Sequence, residues 1–328
     1  MPSYIRHLPG TASKIIDEKT LPPNNVFFNP SIAYPIIYIR RNEHFKTKEV
    51  NSVFLYNIDT KQNYTIPSPS QFLKNNVNLY TGIEDLRICW YKDLLWFSGT
   101  CTHVSDNMTS ELCVGHFNKE LTCVERMSYV DLGVSPVKNV CPFVVGDDLL
   151  LFDMYLMAIY KCYEVNESVH VTIVSDSVTG IDNLSLDDKT DKTDKTEKNE
   201  KTGKWLNFAA KKVRPLVHGE SIKIDGYRGS TSPVHLHGNT WGVIVHDIIF
   251  NDQAALVTRL SYLHIWLEFD VSTGEITFVS TPFWVAIWGI EYVSGIRIEN
   301  DNVTLFMGIN DISTLTYTTT VYNLRVGK

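Results

Sequence analysis

Five short aliphatic runs along the chain each end in a polar or charged residue. They are 34–40 (YPIIYIR), 94–100 (LLWFSGT), 149–155 (LLLFDMY), 241–247 (WGVIVHD) and 303–311 (VTLFMGIND). With Arg40, Ser98, Asp153, His246 and Asn310 as markers, successive runs lie 58, 55, 93 and 64 positions apart. Between them, stretches rich in Val, Ile, Tyr, Phe, Trp and Thr alternate with Asn, Asp, Gly and Pro clusters, the pattern of strands and turns. Residues 241–250, 260–271, 275–282 and 303–309 read as successive strands, with Ser272-Thr273-Gly274 as a hairpin turn. No long amphipathic helix interrupts them, so the pattern is an antiparallel meander rather than a strand–helix alternation. A strand-rich unit recurring at this interval predicts an all-β, five-bladed β-propeller whose polar strand ends share one central pocket.

The widest gap contains 187–204 (DDKTDKTDKTEKNEKTGK), with six acidic and six lysine residues and no apolar one. Such a segment cannot bury enough surface to order itself, and it predicts a solvated insertion between the third and fourth blades. Residues 1–25, with Pro9, Gly10, Pro22 and Pro23, read as an N-terminal arm, and 26–328 as a single propeller domain. The polarity of 316–326 (TYTTTVYNLRV) alternates, which predicts a last strand completing the first or last blade. Closing the ring in this way removes exposed sheet edges.

Composition narrows the function. Hydrophobic residues at 44% and charged residues at 20% describe a folded, soluble chain with a sizeable core. A net charge of −7 excludes a general nucleic-acid binder, which needs a basic surface to displace counterions. Aromatic residues at 12% suit both blade packing and sugar stacking. The six cysteines form no CxxC pair, so no zinc site is expected, and they read as reduced residues of a cytosolic protein. Residues 1–10 lack the apolar stretch of a secretory signal, and no apolar run reaches the ~18 residues of a membrane span. A cytoplasmic location without membrane, metal or cofactor follows as the expectation.

Candidate chemistry sits at the ends of the runs. In Gly82-Ile83-Glu84-Asp85-Leu86-Arg87, Glu84 and Asp85 take opposite faces of a strand, and Arg87 shares the face of Asp85. The guanidinium fork of Arg87 suits a phosphate or carboxylate, and a salt bridge at a blade junction is the alternative. Lys138-Asn139 supplies a point charge and an amide before a Pro-bounded strand. Arg228, in Tyr227-Arg228-Gly229-Ser230-Thr231-Ser232, adds a cation beside a glycine that lets a ligand near the backbone. His246-Asp247 forms an acid–base or sugar-binding pair, with His264 on the same rim. His235 and His237 alternate without a third metal ligand nearby and read as exposed strand residues. Glu291 and Asp311 lie on neighbouring strands of the last blade, where their carboxylates could approach each other. Trp284 and Trp288 upstream offer stacking faces, or serve as core.

The succession GIEDLRI, VKNVCPF, RGSTSPV, VHD, YLH and GIEYVSG resembles five-bladed β-propeller β-mannoside phosphorylases and mannosyltransferases. Related uncharacterised bacterial and giant-virus propeller proteins share the resemblance. That group carries Glu-Asp-Pro-Arg at the start of a blade; here Leu86 replaces the proline, and Asp247 stands where a Glu is expected after His246. The resemblance implies that Asp85 contacts the sugar or moves a proton, that Arg87 binds a phosphate-bearing donor, and that Lys138 and Arg228 contact the anion.

The acids Asp85, Asp153, Glu291 and Asp311 together with the cations Arg40, Arg87, Lys138 and Arg228 point to a carbohydrate-active enzyme. The presence of these cations beside the acids favours a hexose (mannose-like) transferase or phosphorylase using a sugar phosphate or nucleotide sugar. Paired acids alone would suit hydrolysis, and a non-catalytic propeller binding a glycan or protein is the alternative from another class.

Overall fold

The aliphatic runs become the second strands of five antiparallel sheets. The computed structural model describes residues 5–15, 25–45, 48–66, 80–102, 110–130, 132, 138–165, 207–215, 227–250, 260–287, 289–311 and 313–326. Two short strands come first, β1 (Arg6–His7) and β2 (Thr11–Lys14). The first sheet holds β3 (Asn25–Ala33), β4 (Ile36–Phe45), β5 (Lys48–Asn57) and β6 (Asn63–Ile66), with β7 (Tyr80–Thr81) parallel to β5. The second holds β8 (Ile83–Tyr91), β9 (Leu94–Thr102), β10 (Ser110–Phe117) and β11 (Val124–Val130). The third holds β12 (Cys141–Val145), β13 (Asp148–Asp153), β14 (Ala158–Val165) and β15 (Asn207–Pro215). The fourth is built on β16 (Arg228–Gly229), β17 (Val234–His237), β18 (Thr240–Phe250), β19 (Leu260–Asp270), β20 (Ile276–Val279) and β21 (Phe283–Trp284). The fifth holds β22 (Glu291–Glu299), β23 (Asn302–Ile309) and β24 (Ser313–Thr320), and the helix α1 (Val321–Arg325) follows.

Strands such as β13 (DLLLFD) and β23 (NVTLFMGI) are nearly continuous apolar runs because both faces are covered. Five hydrophobic clusters do the covering, each shared by two sheets. Leu86 and Phe97 meet Tyr38 and Leu55 between the first and second sheets. Trp96 and Val114 meet Leu149 and Leu151 between the second and third. Phe143 and Phe152 meet Trp241 and Phe269 between the third and fourth. Trp266 and Phe283 meet Val293 and Leu305 between the fourth and fifth. Phe306 of the fifth packs with Phe27, Ile39 and Phe54 of the first. The arrangement is all-β and propeller-like, with β3, β8, β12 and β22 as the innermost strands of their sheets.

Two expectations change at the termini. The N-terminal segment is part of the sheets: β1 pairs parallel with β21, and β2 forms the outer strand beside β24. The C-terminal strand stops at Thr320, whose side chain accepts from Asn323 N and caps α1. Arg6 then donates to the carbonyls of Asn323 (2.6 Å) and Leu324 (2.8 Å), which leaves both ends of the chain clasped together.

The acidic–lysine segment 187–204 lies outside the described residues. The nearest described residues on either side, Val165 of β14 and Asn207 of β15, pair with each other, so the segment falls between two strands of the third sheet rather than between two blades. Cys89, Cys113, Cys123, Cys141 and Cys162 are free thiols. No helix among the described residues is long and apolar enough to cross a membrane.

Candidate functional site

In every sheet the polar end of the second strand lies beside the start of the first. Arg40 pairs with Phe28, Ser98 with Arg87, Phe152 with Cys141, His246 with Arg228 and Ile309 with Glu291. The chain therefore brings its marker residues to one end of the inner strands. Asn29, Asp85 and Asn139 occupy equivalent positions there, and all three have left-handed backbone, at φ of 49°, 50° and 61°. Asn and Asp tolerate this conformation better than other non-glycine residues. In β3 and β8 the residue falls in a bulge, where three steps on the inner strand face two on its neighbour. Bulges re-aim side chains, and here they aim Asn29 and Asp85 at each other.

The contacts that result are polar and mostly buried. Asn29 Nδ2 donates to Asp85 Oδ1 at 2.9 Å, and Arg40 Nη1 lies 3.2 Å from the same oxygen. Arg40 also reaches Glu84 (3.4 Å) and donates through Nε to Asn51 Oδ1 at 2.9 Å, with Phe28 under its guanidinium. Burial alone would raise the Asp85 carboxyl, but Arg40, Arg87 and the Asn29 hydrogen bond hold it below the usual carboxylate value.

Arg87 is placed differently from the expected anion clamp. It is fully buried and donates through Nε to Ser230 O (2.6 Å) and through Nη1 to the carbonyls of Asp85 (2.8 Å) and Leu86 (3.2 Å). Its Nη2 donates to the Tyr292 hydroxyl, which in turn donates to Asn139 Oδ1 at 2.8 Å. The guanidinium thus joins residues of the second, third, fourth and fifth sheets around the left-handed turn of Asp85.

The third and fourth sheets meet nearby. A Cβ on Gly229 would lie 2.1 Å from the Asn139 carbonyl oxygen, so only glycine permits this approach. Lys138 and Arg228 are the exposed cations of this end. His246 is buried against Tyr262 and Tyr292, with Nδ1 3.0 Å from Ser230 Oγ. Burial first, then the charges of His264 and Arg87, hold its imidazole neutral, well below the ordinary histidine value. Asp247 is half-buried and raised by burial, its Oδ1 accepting from Ile248 N. Asp153 is buried and accepts from Leu156 N at 3.2 Å, so it holds the turn 154–157. His264 is buried at the joint with the fifth sheet and accepts from Val293 N at 3.3 Å; burial pushes it down to about 3.

Glu291 and Asp311 do not form the expected pair. The Glu291 carboxylate accepts from the backbone N–H groups of Val285, Ala286 (2.7 Å) and Ile287 (2.9 Å), and so caps the loop after β21. Burial nevertheless pushes its carboxyl up to about 7. Asp311 is an exposed residue at this end; partial burial raises its carboxyl, the Asp85 charge raises it further, and Arg40 opposes both. Trp284 packs against His7 with ring centroids 4.2 Å apart and planes tilted by 49°, and Trp288 lies outside the described residues.

Sequence reasoning passed over Asn29, Asn51, Tyr262 and Tyr292. Asn29-Pro30-Ser31 occupies in the first sheet the place of Asp85-Leu86-Arg87 in the second, and aligning the inner strands would have found it. Tyr262 packs against His246 and Tyr292, and burial first, then the charges of Asp311 and Asp85, raise its phenol. Among the described residues no cluster of His, Cys, Asp and Glu could hold a metal ion.

No family model and no curated protein matches the chain. Solved structures do resemble it in fold. One is MPT-4, a mannose phosphorylase from Leishmania mexicana in complex with phosphate ion, at 11% identity and a TM-score of 0.52 over 97% of this chain and 87% of that one. Another is MPT-1, a GDP-Man-dependent mannosyltransferase from the same organism, at 10% identity and a TM-score of 0.53 over 93% and 87%. A glycosyl hydrolase from Bacteroides ovatus aligns at 10% identity and a TM-score of 0.52 over 93% and 87%. The chain therefore shares the all-β, propeller-like fold of these mannose phosphorylase, mannosyltransferase and glycosyl hydrolase structures.

Proposed function

We propose that this chain is a five-bladed β-propeller enzyme that moves a hexose, mannose-like, to or from a phosphorylated partner at the polar end of its inner strands. The observation that carries the reading is the junction of Asp85 with Arg40 and Asn29 across the first two sheets, with Asp311 and Tyr262 near enough to feel the Asp85 charge. Two carboxyls pushed in opposite directions are the usual sign of an acid–base assignment. Asp311, whose carboxyl is raised, is the group assigned to proton transfer at the glycosidic oxygen; Asp85, lowered by Arg40, faces the positive charge that develops on the sugar. Arg228 and Lys138, both exposed here, supply the anion contacts, and Asn139, Glu84, His246 and Asp247 frame the sugar. Glu291, Asp153, His264 and Arg87 act by holding the surrounding backbone.

The neighbours in fold support a sugar substrate, since they are a mannose phosphorylase, a GDP-Man-dependent mannosyltransferase and a glycosyl hydrolase. Hydrolysis is the second reading, favoured by the coupling of Asp85 with Asp311. Free thiols at Cys89, Cys113, Cys123, Cys141 and Cys162 fit the cytoplasmic location read from the sequence.

The test is a panel of mannosides with phosphate, mannose 1-phosphate and GDP-mannose, followed by release or uptake of phosphate and of free sugar. Asp85→Asn and Asp311→Asn are expected to lose turnover, Asp311→Asn least with an activated aryl leaving group. Full activity in Asp85→Asn rejects the assignment. Thermal stabilisation by mannose, with no turnover of any donor, points to a binding module instead.

A further inference from the structure

Beyond Asp85 the inner strands continue along the same axis. Trp90 is five residues further on, roughly 16 Å at the rise of a strand. A cavity of about 220 Å³ opens there, lined from all five sheets, among them by Ala33, Trp90, Phe143, Ser232 and Ile296. An adjoining cavity of about 310 Å³ shares Trp241 and Ile296 and adds Tyr34 and Arg297. Neither belongs to the polar cluster described above.

The aromatic walls are held in place before any ligand arrives. Trp90 is 39% exposed, yet its Nε1 donates to the carbonyls of Ala33 (3.1 Å) and Tyr34 (2.9 Å). Tyr34, 44% exposed, donates its hydroxyl to Asp59 at 2.8 Å, and the Arg297 guanidinium lies 3.6 Å over its ring. Exposed aromatic rings fixed by polar contacts at their edges form a stacking platform with little ordering entropy left to lose.

Charge and hydrogen bonding narrow the ligand. Arg297 is already paired with Glu299, so the wall offers no unpaired charge to an ion. Ser232 Oγ, by contrast, is buried in the wall without a hydrogen-bond partner. A buried hydroxyl in that state is uncommon and calls for a partner group. The ligand that meets these conditions is neutral, ring-sized, apolar on one face and hydroxylated at its edge. We infer that this end of the channel is a second binding site, for a pyranose sugar stacked on Trp90 with a hydroxyl on Ser232. The inference rests on these residues and not on the chemistry proposed for the polar end.

The experiment uses the full chain labelled with 5-fluorotryptophan, whose seven tryptophans give separate fluorine signals. Trp90→Phe assigns the Trp90 signal; D-mannose is the probe and phenol the apolar control. Mannose is expected to shift the Trp90 signal in the wild type and equally in Asp85→Asn, and Ser232→Ala to weaken the response by roughly fivefold, the effect of one hydrogen bond. No shift, or a shift with phenol alone, overturns the sugar site. Loss of the shift in Asp85→Asn overturns it too, because the sugar then sits at the polar end.

Discussion

The Arg87 side chain reaches the Ser230 carbonyl at 2.6 Å, which ties the second sheet to the fourth across 143 positions of sequence. The same guanidinium holds the Asp85 carbonyl at 2.8 Å. A residue whose type suggests phosphate binding is thus spent on protein carbonyls, in a site where a left-handed Asp85 needs support.

Replacing Arg87 by Met should therefore lower stability rather than merely ligand affinity. Each buried acceptor left unpaired costs about 1–3 kcal/mol, and Ser230, Asp85 and the Tyr292 hydroxyl all lose a donor. Arg228→Ala, at an exposed position, should stay within about 0.5 kcal/mol of the wild type. Urea denaturation of the two variants decides; equal midpoints would remove the structural role given to Arg87.

Arg40 governs the charge of Asp85. Burial works to raise the carboxyl, and Arg40 is the first group opposing it. In Arg40→Met the titration of Asp85, followed by carbon NMR of its carboxyl, should move upward from its depressed position. The stability that an ionised Asp85 contributes is present above the ordinary carboxylate value and lost as pH falls through the depressed one. Arg40→Met should accordingly narrow that acid range. An Asp85 titration unchanged by the substitution would mean that Arg87 and Asn29 suffice.

Much of this architecture was legible in the residues, and for a physical reason. A strand packed on both faces must be apolar throughout, so the second strands appear as aliphatic runs, and their polar ends mark where packing gives way to the site. The sheet boundaries followed from the same runs. What escaped was direction. Glu291 and Asp311 are both acids at the end of the fifth sheet, but a strand end does not say whether a carboxylate turns inward or caps a loop; Val285–Ile287 decided that for Glu291. Arg87 escaped similarly, because its partners are backbone carbonyls, which leave no trace in composition. The alternation of 316–326 read as strand throughout, while the Thr320 cap starts a helical turn after only five strand residues of that stretch.

Stability should respond to pH through two opposing buried groups. His264 is held at about 3, below its ordinary 6.5, so its contribution is present above 6.5 and lost as pH falls towards 3. Glu291 is raised from 4.5 to about 7, so its contribution is present below 4.5 and lost as pH rises to 7. Glu291→Gln removes the second effect and leaves His264, whose Nδ1 lies 3.8 Å from Glu291 Oε1, beside a neutral amide. The stability of the wild type relative to this variant should therefore shrink between pH 4.5 and 7 and level off above. Thermal unfolding at four pH values across that range tests it; a difference that grows with pH contradicts the assignment.

The anchoring of α1 on the fourth sheet gives the last prediction. Glu268 is buried, accepts from Trp266 Nε1 at 2.7 Å, and takes both Arg325 Nε (2.5 Å) and Nη2 (2.8 Å) from α1. Glu268→Ala leaves the Trp266 indole N–H without its acceptor, which costs about 1–3 kcal/mol. Arg325→Ala removes only a half-exposed ion pair and should cost no more than about 1 kcal/mol. The double variant should match Glu268→Ala alone, since the pair contributes once. If Arg325→Ala proved the more damaging, the carboxylate would be serving α1 rather than the fourth sheet, and the helix would be the element that holds the ends together.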